Sequence, residues 1–117
     1  MVALDPAQLV GLGGVLGAVA RYLVTEAVDV EGLPLGTVLV NVLGSFVLGA
    51  LTFAGAGDDL LLALGTGACG SFTTFSSFSV QTVELWAGGD RLRAFANAFG
   101  TLLAALGAVG FAWVVFG

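Results

Sequence analysis

The sequence predicts an all-α integral membrane fold: one domain of four transmembrane helices, the third broken near mid-membrane. Three observations predict it. Hydrophobic residues fill 58% of the 117 positions, charged residues only 9%, and mean hydropathy is +1.08. Soluble domains are about one quarter charged, so lipid is the solvent that suits this composition. Four apolar stretches, each near the ~20 residues of a helical crossing, are separated by short segments rich in Gly, Asp or Pro. Inside the third stretch the apolar character gives way to a run of Ser, Thr and Phe. Four crossings leave no room for an extramembrane domain, and Met1–Pro6, with Asp5 and no basic residue, does not read as a cleaved signal peptide.

The first crossing is expected over 7–28. Its interior from Leu9 to Ala20 is uncharged, and Gly13 and Gly17 form a small-xxx-small pair suited to close helix packing. Arg21 follows, placed either to snorkel to the interface or to face a hydrated vestibule. A turn over 29–34 carries two carboxylates, a Gly and a Pro. The second crossing, 35–54, stacks Thr37, Asn41 and Ser45 at i, i+4 and i+8 on one helix face. Buried hydroxyls satisfy themselves on the i−4 carbonyl. Asn41 does not, and serves either as glue between helices or as lining of a polar path.

The third crossing, 60–86, holds GTGACGSFTTFSSFSVQTVELW, in which every non-Phe position from Ser71 to Ser79 is Ser or Thr. Irregular backbone in the hydrocarbon region is tolerated where it is buried in protein or lines a hydrated cavity. A break near 70–74 is therefore expected, with a second half-helix from about Phe75 to Trp86. The fourth crossing, 92–116, is almost wholly apolar after Arg93 at its start, apart from Asn97 and Thr101, again an i,i+4 pair.

The polar residues exclude more chemistry than they permit. There is no His and no Lys, so a serine nucleophile lacks its base. No carboxylate lies deep in a crossing, which removes acid–base pairs and proton relays. A single cysteine, Cys69, gives neither an internal disulfide nor a metal-ligand set. A net charge of −5 excludes a nucleic-acid partner, and an acidic, lysine-free rim is the composition expected of a high-salt organism. What remains is an amide, hydroxyls, freed backbone and aromatic edges. Hydroxyl and amide hydrogens replace the water of a small anion, and a phenyl ring offers a positive edge. Phe75 and Phe78, i,i+3 on the second half-helix, place their rings on one side. With Asn41 they make a narrow anion lane without fixed charge. Backbone carbonyls released at the bend suit a cation, as in broken-helix transporters.

The stretch GACGSFTTFSSFSVQTVEL closely resembles the signature of the CrcB, or Fluc, fluoride channels, roughly G-x-x-G-x-x-T-T-F-S-[ST]-F. PLGTVLVNVLGSFVLG resembles that family's second span and GGVLGAVARYLV its first, so the likeness covers essentially the whole chain in order. The resemblance implies an antiparallel dimer of four-helix subunits in the cell membrane, with two fluoride pores. It implies that Asn41 donates to fluoride, that Phe75 and Phe78 are the stacked pore rings, and that Thr37 and Ser76 lie near the pore. Gly70 and Thr73 would give backbone carbonyls to a structural sodium ion on the dimer axis, and Arg21 would stand near the vestibule. The implied function is passive export of fluoride, a poison of metal-dependent enzymes.

One departure stands out. The family's fourth span carries hydroxyls at i,i+4 beside the phenylalanines, and counting from Asn97 places that track at Ala105 and Val109, which donate nothing. Charge distribution adds a second feature. Arg91 and Arg93 lie in the third connection and Arg21 points toward the first, so the basic residues share one side. That bias favours one orientation, termini outside, and hence pairing with an oppositely oriented paralogue in preference to a homodimer. Two other readings stand beside the channel: a non-conducting assembly partner of a heterodimeric channel, and a small multidrug-type exporter. The exporter needs a carboxylate buried in the first span, and Leu9–Ala20 has none.

Overall fold

In a computed structural model, residues 3–28 and 33–117 are described. The turn expected over 29–34, with Asp29 and Glu31, falls mostly outside the described residues. The chain is all-helical in its long elements. Helix α1 spans Pro6–Ala27 and α2 Leu35–Phe53. The third crossing starts with a short α3, Asp58–Leu60, widens into a π-helical stretch Leu61–Cys69, and tightens again in α4, Gly70–Phe72. After an extended interruption at Thr73 and Thr74, α5 runs Phe75–Ala87 and α6 Arg91–Phe116. Helices α1, α2 and α6 are each long and apolar enough to cross a membrane, while the third crossing is divided between two shorter pieces.

The ends are set by local chemistry. Asp5 and Gln8 form a reciprocal capping box ahead of α1: the Asp5 amide donates to Gln8 Oε1 at 3.0 Å, and the Gln8 amide to Asp5 Oδ1 at 2.9 Å. Two glycines in the left-handed region stop helices. Gly55, φ 76°, closes α2, with the Ala56 amide on the Leu51 carbonyl at 3.0 Å. Gly89, φ 90°, closes α5 in the same way through Asp90 and Leu85. Asp90 then caps α6 by accepting from the Arg93 amide.

Packing depends on small residues. The molecule measures 57 × 29 × 20 Å, a slab of helices. Helix α1 lies along the π-helical stretch, and α2 along α6. A Cβ added at Gly13 would sit inside the Ala63 carbonyl, and one at Gly17 inside that of Ala68. In return, a Cβ at Gly67 would come within 2.6 Å of the Val10 carbonyl oxygen. Only glycine permits this backbone-to-backbone approach, and in lipid such van der Waals fit is what holds helices together. On the other side Gly49 receives Ala112, and Phe46 packs on Phe111 with centroids 5.8 Å apart. Trp86, Phe95 and Phe99 form an aromatic row where α5 meets α6, with Arg91 lying 4.7 Å over the Trp86 ring. Aromatic and basic residues of this kind mark a membrane–water boundary. Long apolar residues remain exposed on α1 and α6, among them Leu16, Leu23, Leu103 and Val114.

Candidate functional site

The break is made by side chains that take hydrogen bonds away from the helix. In a continuous helix the Thr74 amide would donate to the Gly70 carbonyl. It donates to Asn41 Oδ1 instead, at 2.7 Å, and Asn41 Nδ2 donates back to the Thr74 carbonyl at 3.0 Å. The Ser77 amide, which would reach the Thr73 carbonyl, is taken by Thr74 Oγ1 at 3.2 Å as the N-cap of α5. The carbonyls of Gly70 and Thr73 are thereby released from the helix ladder. Arg21 Nη1 donates to the Thr73 carbonyl at 3.3 Å. The break therefore has a fixed charge beside it, although Arg21 is not among the residues that line the cleft where Asn41, Phe75 and Phe78 meet.

A cleft of about 570 Å³ opens at this point, lined by Asn41, Ser45, Thr73, Phe75, Phe78 and Thr101 among others. The Phe75 and Phe78 centroids are 5.9 Å apart with planes inclined at 45°, and Phe75 is 79% exposed. Donor accounting shows which groups face the cleft unspent. Ser45 gives its proton to the Asn41 carbonyl at 2.7 Å, and Thr73 gives its own to the Cys69 carbonyl at 2.9 Å. Asn41 has two amide hydrogens and commits one to Thr74, leaving the other. Thr101 is 6% exposed, and its buried Oγ1 has no partner among the described residues. The cleft thus offers one amide N–H, the hydroxyls of Thr101 and Thr66, and two ring systems, all uncharged.

The residues nominated from the sequence divide between places. Asn41, Phe75 and Phe78 meet at this cleft, with Gly70 and Thr73 beside them. Thr37 is buried in α2 and lines no described cleft. Ser76 lies on another face of α5, in a second recess with Ser77, Gln81 and Glu84. Arg21 reaches the break itself. On α6, Ala105 lines the cleft next to the phenylalanines, whereas Val109 packs at α2 against Gly49. Thr101 is a cleft residue that the sequence marks only by its i,i+4 relation to Asn97. Structure separates that pair: Asn97 Nδ2 donates to Thr82 Oγ1 at 2.8 Å and fastens α6 to α5, leaving Thr101 to the cleft.

Comparison with known proteins points to one family. The sequence profile of the CrcB-like protein, Camphor Resistance (CrcB), family matches residues 8–114. A relative named fluoride-specific ion channel FluC 2, from Haloarcula marismortui, is 57% identical over 113 residues, covering 97% of this chain and 95% of the relative. Fluoride-specific ion channel FluC 1 from Halobacterium salinarum is 53% identical over 110 residues, 94% and 92% of the two chains. Fluoride-specific ion channel FluC from Methanocaldococcus jannaschii is 46% identical over 94 residues, 76% of each. With a match along nearly its whole length and a broken third crossing pinned by Asn41, this chain belongs to the CrcB family.

Proposed function

We propose that the chain is a fluoride-selective channel subunit of the cell membrane, passing fluoride passively out of the cytoplasm. The observation that carries the reading is the cleft at the break, where uncharged donors and ring edges meet in a chain whose relatives are named fluoride-specific channels. Fluoride is small and strongly hydrated, so a path must return hydrogen bonds for those of the water removed. The free hydrogen of Asn41 and the Thr101 hydroxyl supply two, and the edges of Phe75 and Phe78 continue the contact where no polar group is present. A carboxylate in the lane would repel the ion, and none lines the cleft. The reading is tested by reconstituting the chain in liposomes loaded with potassium fluoride and following release with a fluoride electrode after valinomycin. Release of fluoride with retention of chloride supports it; vesicles that hold fluoride, with this chain and with every candidate partner, sink it.

The proposal extends to assembly. The subunit pairs antiparallel with a second four-helix subunit, and the basic bias of Arg91 and Arg93 favours an oppositely oriented paralogue. Arg93 is partly offset by its 3.2 Å ion pair with Asp90. Terminal tags probed by protease from each side decide the point: C-termini on both faces mean dual insertion and a homodimer. The released carbonyls of Gly70 and Thr73 are hard oxygen ligands of the kind that hold an alkali cation, and a Cβ at Gly70 would meet nothing within 4 Å, leaving that face open to a second subunit. A sodium ion held there would supply positive charge to the two break carbonyls.

A non-conducting partner is the second reading: Ala105 lines the cleft without a donor, although Thr101, one turn earlier, brings a hydroxyl there. Substituting Asn41 in the co-expressed pair separates the two, since a scaffold subunit leaves flux unchanged.

A further inference from the structure

The contact between α1 and the third crossing follows a register that carries Arg21 to the break. Gly13, Gly17 and Arg21 are i, i+4 and i+8 on one face of α1. The positions they meet are Ala63, Ala68 and Thr73, which advance by five. A π-helix, with i→i+5 bonding, repeats more slowly than an α-helix, so the widened stretch Leu61–Cys69 keeps pace with α1 at five residues for every four. The two glycines bring the backbones together, and the next position along the seam is an arginine whose guanidinium ends on a carbonyl that the break has released. An arginine there is not snorkelling to the interface; it is aimed at the interruption.

We infer that Arg21 is a positioning residue: a built-in cation that holds the break open through the Thr73 carbonyl and shares that oxygen with the sodium ion proposed above. The inference rests on that reading for the identity of the second cation. Cation and guanidinium attract the same oxygen and repel each other. With Arg21 in place the added benefit of sodium is small; without it, the break depends on sodium. The side chain also leaves positive charge next to the residue whose amide Asn41 pins.

The test uses the full chain, alone and co-expressed with its candidate partner, in detergent and in liposomes, comparing wild type, Arg21→Lys and Arg21→Gln in sodium chloride and in choline chloride at equal ionic strength. Thermal unfolding is the readout independent of transport. Wild type is expected to shift by no more than about 2 °C between the salts, and Arg21→Gln to gain roughly 5 °C or more in sodium, the scale of about 1 kcal/mol in a chain of this length. Arg21→Lys, which keeps the charge and loses the fork, falls between them. In liposomes, Arg21→Gln is expected to release fluoride about tenfold more slowly in choline than in sodium, with little difference for wild type. Equal sodium shifts for wild type and Arg21→Gln would overturn the inference, as would a variant weakened to the same degree in both salts. A differential thermal shift in a chain that releases no fluoride would leave the inference standing and remove the channel reading.

Discussion

Asn41→Leu isolates the lock that makes the break. The substitution keeps the branched side-chain skeleton and removes both hydrogen bonds to Thr74, one at 2.7 Å and one at 3.0 Å. Hydrogen bonds between membrane helices average ~0.6 kcal/mol by double-mutant cycles, so two give a lower bound near ~1 kcal/mol. Stranding both groups at a residue only 7% exposed sets an upper bound of about 6 kcal/mol, at ~1–3 kcal/mol for each unsatisfied group. The structure decides within that range. Released from Asn41, Thr73 and Thr74 are free to leave their extended conformations and return the Thr74 amide to the Gly70 carbonyl, so the expected loss is about 1–3 kcal/mol. Transport suffers more than stability. The remaining Asn41 hydrogen is lost as a donor to the anion, and a hydrogen bond to a charged group is worth ~1.5–3 kcal/mol, or roughly 10- to 100-fold in rate. Fluoride release from liposomes and thermal unfolding of the same preparation are the assays. A monodisperse variant releasing fluoride at the wild-type rate would refute the assignment of Asn41 to the path.

Thr101→Val removes the unpartnered hydroxyl without changing shape and is expected to slow fluoride release by about tenfold, while Thr101→Ser retains it; equal rates for the two would exclude Thr101 from the path. Phe78→Leu, which keeps bulk and loses the ring edge, should lower flux with little change in unfolding temperature, as read by the fluoride electrode. Gly13→Val drives a side chain into the Ala63 carbonyl and is expected to destabilise by at least the ~1–3 kcal/mol of an overpacked core, measured by unfolding in detergent. Gly70→Ala is free of steric conflict inside the subunit and favours the helix, so the subunit should fold normally. If the open face meets a second subunit, size-exclusion chromatography with light scattering will show weakened assembly.

Much of this was legible along the chain because membrane folding obeys two strong local rules. Hydrocarbon demands long apolar helices, and it forbids stranded backbone, so a Ser/Thr run such as Ser71–Ser79 announces an interruption. The gathering of Asn41, Phe75 and Phe78 followed from helical spacing together with the family signature. Less legible were features that depend on which helix lies beside which. Ser76 and Phe75 are adjacent in sequence yet face different recesses, because one step along a helix turns a side chain by about 100°. Thr101 and Asn97 share a face of α6, but Thr82 claims Asn97, and only a neighbour on α5 could reveal that.

By itself, then, the sequence determined the solvent, the number of crossings, the place where the third one fails and the uncharged character of the donors there. Tertiary structure decided what each donor does. It assigned one Asn41 hydrogen to the Thr74 carbonyl and left the other, widened Leu61–Cys69 so that α1 and the third crossing stay in step, and delivered Arg21 to the Thr73 carbonyl. The reason is physical. Hydrophobicity and backbone satisfaction act residue by residue and are written in composition and spacing, whereas the partner of a buried polar group is chosen by distance across helices, which no local pattern encodes.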